Sequence, residues 1–141
     1  MLTDDIKKFL NEAPDEVHLL NKVVLIFGVS GALRRNEIYK ITVNDVEEKD
    51  SALFVNIPET KNNRAKSFAI TGFMFNLYKK YRLLRPKNAS SPKLFLTYRK
   101  GKCTQQVVGL NKIGATSQEV ARFLNLPNPE RYIMTLIDRS N

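Results

Sequence analysis

The sequence has no tryptophan, one cysteine and one histidine. A lone thiol, Cys103, closes no disulfide within the chain. With His18 as its only imidazole, the chain has neither a histidine-based triad nor a cysteine/histidine zinc set. No metal and no cofactor is expected. Long hydrophobic runs are missing as well: the longest, residues 23–33, is too short to span a bilayer and contains Ser30. No membrane partner is therefore expected. The amino terminus, Met1-Leu2-Thr3-Asp4-Asp5, is acidic where a secretory leader is basic and then apolar. These absences point to a soluble protein of a reducing compartment, the nucleus or the cytoplasm. The most informative absence is of acid. Between Glu59 and Glu119 there is no aspartate or glutamate, while 13 lysines and arginines fall there. Solvated faces ordinarily mix signs, so a run of one sign this long predicts a polyanionic partner, nucleic acid first.

What is present suffices for one core. The chain is 141 residues long, 43% hydrophobic and 26% charged, with a formal net charge of +9, which fits a single domain spanning 1–141 and excludes general disorder. Charge is split along it: residues 1–60 carry 7 basic against 11 acidic side chains, and residues 61–141 carry 16 against 3.

Periodicity predicts helices around one small antiparallel sheet. Thr3 is a candidate N-cap for a helix presenting Ile6, Phe9 and Leu10 on one face. Pro14 suits the start of a second helix, with Asp15 and Glu16 at its positive end. That helix turns almost wholly apolar over 23–29, as a buried central helix does. Ser30-Gly31-Ala32 breaks it, and a short helix with Arg34, Glu37, Ile38 and Ile41 follows. Leu53, Val55 and Ile57 alternate along one strand, Phe68 and Ile70 along another, joined by a polar connection that includes Lys61, Arg64 and Lys66. Met74, Leu77, Tyr78 and Tyr81 recur at helical spacing, and residues 94–98 are extended before a turn at Gly101. Thr116-Ser117-Gln118-Glu119 reads as a capping box ahead of Val120, Phe123 and Leu124. His18 reads as partly packed. Cys103 follows a turn among lysines, a setting able to lower a thiol pKa, but the favoured reading is a plain small side chain.

Two constellations carry candidate chemistry. Arg34, with Arg35 beside it, falls just after a tight bend at a helix start, where backbone N–H groups and a guanidinium can grip a phosphate together. Taken alone, the same spacing suits a surface arginine with Glu37 as its i,i+3 partner. Lys61, with Arg64 and Lys66 close behind, lies on a connection able to reach into a nucleic-acid groove. Taken alone, it also suits a solvated turn.

Their order, an apolar helix, Arg-x-x-Glu, Val43-Asn44-Asp45-Val46 and then a hairpin with Thr60-Lys61, resembles the catalytic domain of tyrosine recombinases (phage-integrase-like), most nearly the Crypton-type recombinases of eukaryotic DNA transposons. The segment 22–37 looks like their first arginine box and 57–61 like their hairpin lysine. Gly101-Lys102-Cys103-Thr104, Val108-Gly109 and Leu126-Pro127-Asn128-Pro129 resemble their later region. The resemblance implies an α+β, mainly α fold: a truncated DNA breaking–rejoining domain. In that family a tyrosine attacks a DNA phosphodiester, two arginines hold the non-bridging oxygens, a lysine protonates the leaving 5′ oxygen and histidines assist. Carried over by position, Arg34 is the first arginine, Glu37 its structural neighbour and Lys61 the general acid. DNA contacts are expected from Arg34, Arg35, Lys61, Arg64 and Lys66.

The departures are as specific. Thr135 stands at the family's histidine position and Asp138 at its second-arginine position, and the five tyrosines, at 39, 78, 81, 98 and 132, all precede the place of the nucleophile. The expected function is therefore weak, sequence-tolerant DNA binding without strand transfer. The competing readings are a half-site whose tyrosine is supplied in trans, and a protein-interaction module or element relic with no DNA role. Apolar surface over 23–29 or 120–124, left uncovered by the family's later helices, is expected to promote self-association.

Overall fold

The computed structural model describes residues 3–62 and 64–132. Helix α1 (Thr3–Glu12) buries Ile6, Phe9 and Leu10, the face that its period sets. Pro14 then caps α2 (Asp15–Gly31) from outside, at φ −69° and ψ 129°, and Asp15 and Glu16 occupy the first turn. Every residue from Leu19 to Gly28 is buried, Asn21 and Lys22 included, so α2 is the axis about which the other elements pack. The helix ends at Ala32, held in the left-handed region at φ 51°. The chain turns there into α3 (Arg35–Lys40) and a single 3-10 turn, Val43–Asp45.

Strands β1 (Val46–Lys49), β2 (Ala52–Ile57) and β3 (Lys66–Ile70) form an antiparallel sheet in sequence order, with Leu53 opposite Ile70 and Ile57 opposite Lys66. Leu53 and Val55 face the core while Phe54 and Asn56 face outward, as a half-buried strand requires. Helix α4 (Gly72–Leu84) buries Phe75, Leu77, Tyr78 and Tyr81. Strands β4 (Leu96–Arg99) and β5 (Lys102–Val107) form a separate hairpin turning at Lys100-Gly101. The short α5 (Leu110–Gly114) and α6 (Thr116–Phe123) follow, then a 3-10 turn, Pro129–Arg131.

Phe27 sits at the centre of the core, edge-on to Phe95 at 5.2 Å and to Phe68 at 6.2 Å between ring centroids. Such pairs add about 0.5–1.5 kcal/mol each beyond the area they bury. Tyr81 is fully buried yet satisfied. Its hydroxyl donates to the Leu94 carbonyl at 2.9 Å and accepts the Leu96 N–H at 2.8 Å, tying α4 to β4.

Helices around small antiparallel strands are what the sequence predicts, but the strands divide into two sheets rather than one. Two local expectations are corrected. Thr116 does not cap α6, because α5 runs up to Ala115 and the Ala115 carbonyl already accepts the Glu119 N–H. Glu119 instead reaches Lys112 at 2.6 Å. The apolar surface expected over 23–29 and 120–124 is also not left open: residues 23–28, Val120 and Ala121 are all buried, and Val29, Phe123 and Leu124 partly so. The largest hydrophobic exposures fall elsewhere, on Leu83 at the end of α4 and on Val17. No described helix is long and apolar enough to cross a membrane.

Candidate nucleic-acid interface

The bend predicted at Ser30-Gly31-Ala32 is made by two features. Ala32 takes the left-handed conformation, and β3 crosses Gly31 so closely that a Cβ there would lie 2.4 Å from the Phe68 ring. The chain leaves this turn extended at Arg34 (φ −88°, ψ 162°), the N-cap of α3. Arginine has no acceptor with which to cap a helix. Glu37 supplies the carboxylate half of a capping box instead, its Oε1 accepting the Arg34 N–H at 3.0 Å.

The carboxylate of Glu37 is almost fully enclosed, and the same Oε1 receives Lys66 Nζ at 3.2 Å. Lys66 also donates to the Ala32 carbonyl at 3.0 Å. Thus Lys66, expected on DNA, is turned inward onto the α2–α3 corner. Arg34 and Arg35 are exposed. The aliphatic stem of Arg35 lies over α5, where a Cβ on Gly114 would meet its Cδ at 2.8 Å. Lys61 and Arg64 are exposed on the connection between β2 and β3. The root of that connection, Ile57, Pro58 and Thr60, walls one side of a largely apolar cavity of about 250 Å³. Glu37, Lys40, Ile41, Thr42 and Asp45 wall the other. The arginine corner and the lysine connection are therefore carried by adjoining elements, with Glu37 between them enclosed and paired, while Glu59 is exposed on the connection itself. Thr135 and Asp138 lie outside the described residues.

The acid-free window does not form one patch. Six of its cations are engaged within the chain: Lys66 with Glu37, Lys80 with Asp15, Arg82 with Glu48, and Lys112 with Glu119. Arg85 donates to the Ser91, Lys93 and Leu94 carbonyls, and Lys93 lies 4.4 Å from the centre of the Tyr39 ring. In three of the four ion pairs an acid of residues 1–60 thus neutralises a base of residues 61–141. A second exposed basic group, Arg99, Lys100 and Lys102, sits on the β4–β5 turn. There the Gly101 N–H bonds the Glu16 carbonyl and the Tyr98 hydroxyl bonds the Asp15 carbonyl at 2.8 Å. That is the start of α2, while Arg34 and Lys61 are at its end. The helix has 17 residues, so the two groups are separated by about 25 Å of helix.

The tyrosines read as structural. Tyr78 and Tyr81 are core residues whose hydroxyls burial pushes up, Tyr78 to about 12. Burial also raises Tyr98, which is spent on Asp15. Cys103 is the plain small side chain of the sequence reading: burial pushes its thiol up rather than down, so the neighbouring lysines do not make it reactive. His18 is part-buried between Phe9 and Phe123, and burial lowers its pKa. Among the described residues no group of three or more histidine, cysteine or acidic side chains could hold a metal.

One polar pair escaped the sequence reading. Lys22, on the buried stretch of α2, donates to Asp15 at 2.7 Å, and Lys80 meets the other oxygen of the same carboxylate at 2.9 Å. A lysine and an aspartate seven residues apart on one helix, flanking an apolar run, were its only signal.

No protein-family model and no curated protein sequence matches the chain. Solved structures do. XerA recombinase superposes with a TM-score of 0.73 at 13% identity, over 99% of this chain and 47% of that one. XerH site-specific recombinase bound to its difH substrate, in the pre-cleavage complex, gives 0.69 at 18% identity, over 99% and 41%. Its post-cleavage complex with a palindromic difH substrate gives 0.68 at 18%, over 99% and 40%. The fold is that of the tyrosine recombinase catalytic domain, and the chain spans less than half the length of these recombinases.

Proposed function

We propose that this chain is a DNA-binding protein of tyrosine recombinase descent that grips the phosphate backbone at the Arg34–Lys61 end of α2 and does not itself transfer strands. The observation that carries this reading is the electrostatics of the corner. Arg34, Arg35, Lys61 and Arg64 are exposed, while Glu37, the acid of the corner itself, is enclosed and engaged by Lys66 and a backbone N–H. Four exposed cations here outnumber the exposed Glu59 of the same connection, an excess of positive charge that suits polyanion capture through counterion release. The XerH relatives of the fold are seen bound to their difH substrate, which supports the same partner class. Contacts of this kind position a protein on the backbone and carry little sequence information, so binding tolerates sequence.

Inactivity in strand transfer follows from chemistry. A threonine at position 135 cannot accept and return a proton near neutral pH, and an aspartate at 138 repels a phosphate where attraction is required. Of the tyrosines, two are locked in the core and a third is held by the Asp15 carbonyl. Descent from a Crypton-type element, and work in the nucleus or cytoplasm, belong to the same proposal and rest on segments 22–37 and 57–61.

The test is a nicked suicide duplex incubated with the purified chain and resolved on a denaturing gel. The expected result is retention of duplex at low salt with no covalent band, for the native chain and for Asp138→Arg alike. A denaturation-resistant protein–DNA band that vanishes on changing one resident tyrosine to phenylalanine would overturn the inactive assignment. Absence of any retention at low salt would remove the DNA reading.

A further inference from the structure

We propose that Lys66 is a positioning residue, a clamp that holds the connection bearing Lys61 against the Arg34 corner. This deepens the DNA-binding reading of that end and rests on it for its functional consequence. Three observations converge on the clamp. Lys66 opens β3, directly opposite Ile57, which closes β2, so the pair forms the base from which the connection springs. Its ammonium then leaves the sheet to donate to the Ala32 carbonyl at 3.0 Å and to Glu37 Oε1 at 3.2 Å. The same Glu37 oxygen accepts the Arg34 N–H. One side chain therefore joins the base of the connection, the left-handed end of α2 and the N-cap of α3.

The chemistry fits a tether better than a phosphate contact. An ammonium has three donors, and two point at fixed acceptors of the corner. Moving it onto a phosphate would leave the enclosed Glu37 carboxylate with a single backbone donor, which is costly for a charge out of water. On the other root of the connection, Ile57, Pro58 and Thr60 face α3 residues Glu37 and Lys40 across the apolar cavity. With one root tied to Glu37 and the other facing α3 across the cavity, the connection bearing Lys61 is held on the Arg34 side before DNA arrives, and less ordering cost falls on binding.

A double-mutant cycle on the full chain decides between tether and contact. Duplex affinity is measured across a salt series for the native chain, Lys66→Ala, Lys61→Ala and the double variant. A tether acting through Lys61 predicts that Lys66→Ala weakens binding about 3- to 10-fold, the scale of ordering one or two side chains. It also predicts an unchanged salt slope and little further loss once Lys61 is already alanine. Lys66→Arg, whose guanidinium offers donors to both acceptors, should restore the native value. A direct phosphate contact predicts additive losses and a slope flatter by about one unit, and that result overturns the clamp. Independently of DNA, tryptic cleavage after Lys61 and Arg64, and hydrogen exchange at the Arg34 amide, should accelerate in Lys66→Ala. They should return to native rates in Lys66→Arg. If Lys66→Ala fails to fold, Glu37→Gln/Lys66→Met removes the charge together with its partner, and its cleavage should still be faster than native. Native rates in a folded variant lacking Lys66 refute the clamp, whereas faster rates in a chain that retains no duplex sustain it and sink only the DNA reading.

Discussion

Asp15 shows how single side chains reconcile charge with a buried core. Burial raises its pKa, but the hydrogen bonds and charges of Lys22 and Lys80 outweigh that, so the carboxyl titrates below its usual 3.8. Lys22 is the more enclosed partner, its side chain only 3% exposed against 35% for Asp15. Removing the two partners should therefore have unequal effects. Asp15→Asn strands a buried ammonium and should cost about 2–4 kcal/mol in urea unfolding at neutral pH. Lys22→Met leaves a carboxylate that retains Lys80 and water, and should cost under about 1 kcal/mol. Because the folded pKa is depressed, the stabilisation is present above pH 3.8 and is lost as pH falls through the folded value. The deficit of Asp15→Asn should accordingly shrink in acid, and equal costs for the two variants at neutral pH would refute the asymmetry. At this scale the exposure of Arg34 and Lys61 was legible, because a charged side chain just after a bend or on a polar connection faces water. Lys66 was not: it turns inward onto acceptors 29 and 34 residues away.

Among the elements, the end of α2 is the decisive junction. A side chain at Gly31 would meet the Phe68 ring, while Ala32 holds a left-handed backbone that glycine adopts more readily. Adjacent substitutions should thus act in opposite directions. Gly31→Ala should destabilise by about 1–3 kcal/mol as the ring is displaced from Phe27, and Ala32→Gly should stabilise by about 0.5–1 kcal/mol. Chemical denaturation measures both, and a neutral Gly31→Ala would mean that the Phe68 ring swings aside freely. Helices α2 and α4 and strands β2 and β3 were readable because their apolar periods are strong. Strand β1 was missed since, of Val46, Glu47, Glu48 and Lys49, only the first is apolar: an edge strand paired on one side hides its alternation. Helix α5 was missed because five residues barely exceed one turn, and its presence displaced the expected cap of α6.

For the whole molecule, the sequence overstated the basic surface. A window of 59 residues without acid looks like a single polycationic face. Folding instead sends Asp15, Glu37, Glu48 and Glu119 into or beside it and scatters the remaining exposed cations: Lys61 and Arg64 near one end of α2, Arg99, Lys100 and Lys102 at the other, and Lys79 and Lys87 on and after α4. Of the two ends, the one bearing Arg34 and Lys61 is the end proposed to bind DNA. The most direct measurement of that claim is duplex affinity against salt concentration for the native chain, Arg34→Ala, Lys61→Ala and a Lys100→Ala/Lys102→Ala pair on the β4–β5 turn. Affinity should fall steeply as salt rises, and Arg34→Ala and Lys61→Ala should each flatten the slope by about one unit across unrelated sequences, while the turn variant keeps the native slope. Salt-insensitive affinity, or a slope flattened only by the turn variant, would contradict the assignment of DNA binding to the Arg34–Lys61 end.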